Sequence, residues 1–271
     1  MAEKLVRKNW SREETILALD LYYQVPFSKI YSSNPKIISL AEKLGRTPGS
    51  VGMKMCNLAA FDETLLSKGR SGLKNGSKLD KIIWNEFKED YQKLLDEKEK
   101  AMQILGLMED IQIDDNDSAE ILIPNIDADL TVETMVKIRK GQSFFRKAVL
   151  SSYAERCCLT GITIPEFLTA CHIKPWSVSD DANEKLNPQN GICMNELYHK
   201  AFDVGYISIS TDYKLMVSDR LKAHKRLDET TRLWFVKEEG KEIYLPERNL
   251  PDKHFLEYHN DVIFNKVQDC G

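Results

Sequence analysis

No run of this sequence approaches the roughly 18 consecutive apolar residues that a membrane span needs. Lys4, Arg7 and Lys8 near the start are not followed by an apolar segment, so no secretory leader is expected and the reading is that of a soluble cytoplasmic protein. Cysteine is scarce, with six in 271 residues and no Cys-x-x-Cys pair. Cys157 and Cys158 are adjacent and badly placed to bond to each other, which argues against a disulfide scaffold and for a reducing compartment. Histidine is scarcer still, at five. Positive charge is not in excess: a formal net charge of −4 argues against a protein that coats nucleic acid indiscriminately, while leaving room for a local basic groove.

What is present is unevenly distributed, and 271 residues suffice for two domains. Residues 1–105 read as helical and hold 18 basic and 14 acidic side chains up to position 100, a mild positive surplus. Ser11 and Glu14 form a capping box before the apolar stripe Ile16, Leu17, Leu19 and Tyr22, and Pro26 ends that helix. Asn34-Pro35 starts a second helix that stops at Gly45, and Thr47-Pro48 starts a third through Val51, Met55 and Leu58. A long helix from Lys78 to about Leu105 is expected after the glycine-rich basic loop around Arg70 and Lys74. Residues 106–135 contain nine acidic side chains and no Lys or Arg, the composition of a solvated linker, with Glu120-Ile121-Leu122-Ile123-Pro124 as a short strand or docking segment inside it. The second domain spans 136–271, with a helical stripe at Phe144, Phe145, Val149 and Tyr153 and a hairpin at Tyr206–Ser210 and Tyr213–Val217. A final helix is expected from Asp252 to about Val267.

The tight turn between the second and third helices resembles a helix-turn-helix, whose last helix lies in the major groove of double-stranded DNA. On that reading Arg46, Thr47, Ser50 and Lys54 face DNA, and Arg70 and Lys74 lie along its phosphates. A helical module that only packs against other protein would show the same pattern.

Two of the five histidines fall in one region: Cys171-His172-Ile173-Lys174-Pro175-Trp176, then Asn187-Pro188-Gln189-Asn190-Gly191, then Leu197-Tyr198-His199-Lys200-Ala201-Phe202-Asp203. The order reads as strand, loop, strand, helix, with His199 and Asp203 four apart and so on one helix face. Taken singly, a histidine is more often structural and an Asn-Gly pair more often a turn. Taken together with the flanking blocks Phe144 to Val149, Tyr153, Cys157, Ala170 to Trp176 and Asn190 to Cys193, the segment from about Gln142 to Tyr206 resembles an HNH endonuclease of the restriction type.

That resemblance implies an α+β protein in which a helical, helix-turn-helix-like N-terminal domain precedes a ββα-metal nuclease domain. It also implies hydrolysis of a DNA phosphodiester to a 5′-phosphate and a 3′-hydroxyl. His172 takes the place of the water-activating base, Asn190 that of the asparagine that orders the opposite loop, and His199 and Asp203 those of metal ligands. Lys174 is placed to meet a phosphate. The ion is divalent, Mg²⁺, Mn²⁺, Ni²⁺ or Zn²⁺. Many relatives have Asp or His where this chain has Cys171, so that residue is either a small buried side chain or a ligand to a zinc-like ion. A restriction or defence role and a symmetric homodimer are the expected biology. The competing class is a DNA-binding protein that keeps the fold without catalysis.

Overall fold

The structure, a computed structural model, describes residues 8–70, 72–73, 76–107, 131–180 and 184–266. The expected strand at Glu120–Pro124, most of the acidic tract and Lys74 lie outside them. The architecture is α+β: a helical region followed by a β-β-α region. Among the described residues no helix is long and apolar enough to cross a membrane. The chain divides into two compact units, residues 1–22 with 29–112, and residues 23–28 with 113–271.

The first unit is built from α1 (Arg12–Gln24), α2 (Pro35–Lys43), α3 (Pro48–Ala59), α4 (Glu63–Ser67), α5 (Lys78–Phe87) and α6 (Tyr91–Ile104). The caps read from the sequence are formed. Glu14 N donates to Ser11 Oγ while Ser11 N donates to the Glu14 carboxylate. Asn34 and Thr47 accept from Lys36 N and Ser50 N at the starts of α2 and α3. Gly45 supplies the positive φ between them, at +61°. One expectation fails: in place of a single helix from Lys78 to about Leu105, the chain breaks after Phe87, because Asp90 caps a new helix by accepting from Lys93 N.

The second unit starts with α7 (Val132–Ser152), capped by Thr131 within the stretch expected to be linker. β1 (Leu168–His172) and β2 (Gly191–Asn195) pair antiparallel, with His172 opposite Gly191 and Cys171 opposite Ile192. α8 (Glu196–Asp203) follows β2 at once, capped by Asn195, which accepts from Tyr198 N at 3.0 Å. β3 (Ile207–Ile209) and β4 (Leu215–Val217) form the expected hairpin, with Tyr213 at positive φ in its turn. Short helices α9 (Asp219–Lys222), α10 (Glu229–Trp234) and α11 (Lys253–Tyr258) complete it, and α11 runs on as a π-helix from His259 to Phe264. A single apolar core runs from Phe145 and Val149 of α7 through Ile173, Ile192, Phe202, Ile207 and Leu215 to Phe255 and Leu256.

Residues 23–28 belong to this unit through buried backbone contacts. Ser151 Oγ donates to Tyr23 O, and the fully buried Arg248 donates to Val25 O at 2.6 Å. The strap is therefore fixed to the same helix that packs on β1 and β2.

His259 is 1% exposed, and its burial pulls its pKa down from 6.5 to about 4. A base held neutral in the folded state contributes stability that is complete above the unfolded value of 6.5. That contribution is lost as pH falls towards 4, because only the unfolded chain gains the proton. Over that window the loss is about 3 kcal/mol. Denaturant unfolding at pH 7, 5.5 and 4 is expected to show this slope in the native sequence and a shallower one in His259→Gln. Parallel slopes would contradict it.

Candidate active site and metal centre

The alternation of β1 sends Cys171 and His172 to opposite faces. Cys171 is fully buried on the α8 side, where its Sγ lies 3.8 Å from Asp203 Oδ1. On α8, one helical turn brings His199 Nε2 to 3.3 Å from Asp203 Oδ2. The donor atoms of Cys171, His199 and Asp203 all lie within 4.8 Å of one another. A tetrahedral ion held by sulfur at about 2.3 Å and by nitrogen or oxygen at about 2.0–2.2 Å separates its ligand atoms by about 3.3–3.7 Å. The observed 3.3 Å matches that spacing and 3.8 Å lies just beyond it, so the three residues are grouped closely enough to hold a divalent ion. Desolvation pushes the Asp203 carboxyl up from its ordinary value against the pull of His199, Cys171 and Lys200.

His172 faces α7. Its ring stacks on Phe145 at 3.7 Å and 9°, and Trp176 meets it edge-on at 5.6 Å. Its Nε2 lies 3.0 Å from Lys185 O. A carbonyl can only accept, so Nε2 carries the hydrogen and Nδ1 of the neutral ring keeps the lone pair. Burial lowers the pKa to about 4, against the opposing effect of the Lys185 carbonyl, so the ring is neutral at physiological pH.

Asn190 has no solvent exposure, and its amide is bonded on both sides. Oδ1 accepts from Lys174 N at 2.8 Å, while Nδ2 donates to Lys174 O at 3.1 Å, Glu184 O at 3.2 Å and Ser179 Oγ at 3.4 Å. Its own carbonyl accepts from Ile173 N. The loop is thus pinned at both ends, and the residue after Glu184 is the one whose carbonyl holds His172. Gly191, next in sequence, is not there for a turn. Its backbone is extended, but a Cβ would come within 2.3 Å of Val149 and 2.8 Å of Phe145. Glycine lets β2 approach the helix that carries the His172 stacking partner.

With this geometry in hand, comparison with known families is informative. Residues 157–210 match the model of the HNH endonuclease family. The chain carries an HNH-like nuclease domain. No curated protein matches the chain. The match to the HNH family covers β1, β2, α8 and β3, and so contains all the residues just described except Phe145 and Val149.

Several residues expected to meet DNA are otherwise engaged. Arg46 is 7% exposed at its side chain, lies over Trp10 at 4.1 Å and pairs with the buried Glu14 at 2.7 Å. Lys54 is buried and paired with Asp80 at 2.5 Å. Both were expected to face DNA; here each turns inwards to pair with a buried carboxylate, Glu14 or Asp80. Lys174 likewise pairs with Glu184 at 2.6 Å and lies over Tyr258. Thr47 is exposed and Ser50 partly so, though both serve the cap of α3, and Arg70 is exposed. Sequence reasoning missed the Lys185 carbonyl, which no side-chain pattern can signal, and took Phe145 for ordinary core.

Asn190→Ala is expected to destabilise the second unit by about 1–3 kcal/mol, since it takes the acceptor from the Lys174 N–H and one of the donors from Lys174 O and Glu184 O. Asn190→Asp should be no better, because a carboxylate oxygen would then face three acceptors. Denaturant unfolding measures the loss, and faster hydrogen exchange at the Lys174 amide locates it. An unchanged exchange rate there would contradict the clamp.

Proposed function

We propose that this protein is a metal-dependent endonuclease of double-stranded DNA. The observation that carries the reading is the convergence of three donors, Cys171, His199 and Asp203, with the next residue in the chain after Cys171 a histidine whose Nε2 is tied to Lys185 O and whose Nδ1 is left as the acceptor. His172 Nδ1 takes a proton from water as the water oxygen bonds to phosphorus. The bond from phosphorus to the 3′ oxygen breaks, the 3′ oxygen gains a proton, and a 5′-phosphate and a 3′-hydroxyl result. When bound, a divalent ion supplies positive charge beside the phosphoryl and leaving oxygens.

The donor set also narrows the metal. Sulfur, imidazole and carboxylate together suit a borderline ion such as Zn²⁺ or Ni²⁺, whereas Mg²⁺ prefers oxygen alone. Recognition falls to the helical unit, with α3 as the reading helix through Thr47 and Ser50, and with Arg70 and Lys74 on the phosphates. Arg46 and Lys54 drop out of that interface because their ion pairs hold them inside. A homodimer provides the second active site for cutting both strands, and a cytoplasmic restriction or defence role fits a nuclease of this type.

His172→Ala is expected to reduce plasmid cleavage by at least about a hundredfold, the ordinary contribution of a general base. Zinc content and DNA affinity at fixed salt should stay within about twofold of the native protein. Assays with Mg²⁺, Mn²⁺, Ni²⁺ and Zn²⁺ test the reaction and the metal together. No cleavage by the native protein with any of them, alongside intact DNA binding, would favour a non-catalytic DNA-binding protein.

A further inference from the structure

The second unit contains another buried histidine that the reaction does not use. His259 opens the π-helix that follows α11, beyond the segment that matches the HNH family, and π-helical turns recur at functional positions. Its ring stacks on Phe202 of α8 at 3.6 Å and 18°. Its Nε2 lies 3.2 Å from Phe202 O, and its Nδ1 lies 2.7 Å from Ser208 Oγ on β3. Phe202 O can only accept, so Nε2–H is the donor in the neutral ring, and the Ser208 hydroxyl at Nδ1 is shared with Asn260 Oδ1, to which it also donates. One side chain therefore holds both the ring and the carbonyl of the residue immediately before Asp203. It does so at the C-terminal turn of α8, where helix carbonyls lack partners within the helix.

We propose that His259 is a positioning residue for the metal centre: the C-terminal segment reaches back through it to fix the last turn of α8, and with it the Asp203 carboxylate against His199 and Cys171. The inference rests on the reading of those three residues as ligands. His259 touches none of them. Phe255 and Leu256 anchor its helix in the core and Phe264 is buried beyond it, so the clamp has a rigid base. Asp203 is the half-exposed last residue of a two-turn helix whose end is closed by Gly205 N on Phe202 O and Tyr206 N on Ala201 O, and His259 adds a side-chain donor and a stacked ring to that backbone cap.

The test is a double-mutant cycle on zinc affinity, measured on the full chain by competition with a chromophoric chelator. His259→Phe keeps the stack and removes the donor. It is expected to weaken zinc binding about tenfold, the lower end of what removal of an outer hydrogen-bond partner costs a metal site. In an Asp203→Ala background the same change should weaken it no further, because the group it positions is gone. His259→Gln, which returns an N–H near the Nε2 position, should recover part of the loss. Unchanged affinity in His259→Phe, or equal losses in both backgrounds, would overturn the proposal and leave the ligand assignment standing. A native protein that binds no zinc would overturn both. If His259→Phe does not fold, Ser208→Ala, which removes only the hydroxyl that orients the ring, runs through the same cycle with the same criteria.

Discussion

The fully buried amide of Asn190 meets four groups of the loop between β1 and β2, and no other side chain there could supply one acceptor and several donors in so small a volume. Because that loop is pinned at Lys174 and Glu184, the Lys185 carbonyl stands against His172 and decides which ring nitrogen carries the hydrogen. The glycine after Asn190 then lets β2 close on Phe145 and Val149, and the Phe145 ring fixes the plane of His172. Loss of the amide would take the acceptor from the Lys174 N–H and thin the hydrogen bonding of the loop carbonyls, a change that a partly buried polar network makes costly.

Two sets of groups meet at β1 because a strand alternates. Cys171 goes to α8 and to the metal donors; His172 goes to α7 and the loop. In the proposed reading, this two-residue span supplies a metal ligand from one residue and the base from the next. The short helix α8 begins at the residue after β2, so the ligand pair His199 and Asp203 inherits the register of the sheet.

Much of this was legible in the sequence, and the parts that were not share a cause. Caps and turns depend on residues a few positions apart, so Ser11, Asn34, Gly45 and Thr47 announced the first three helices of the first unit. The spacing of His199 and Asp203 fixed a shared helix face for the same reason. The inward turn of Arg46 and Lys54 was not legible because the direction of a long cationic side chain is set by where its carboxylate lies, and Glu14 and Asp80 are 32 and 26 residues away. The break before Tyr91 was missed because the apolar stripe continues through it while a single cap residue, Asp90, ends the hydrogen bonding. His259 finds its partners, Phe202 and Ser208, more than fifty residues upstream. Long-range polar contacts leave no periodicity to read.

Cys171 separates a borderline-soft metal centre from a hard one, and its place in the donor set is the claim on which the proposed chemistry stands. The most direct measurement is the absorption spectrum of the protein with Co²⁺, compared between the native sequence and Cys171→Ser. A sulfur ligand predicts an intense thiolate-to-cobalt band in the near ultraviolet that the serine variant lacks. Identical weak spectra from the two proteins would take Cys171 out of the coordination sphere and contradict the account.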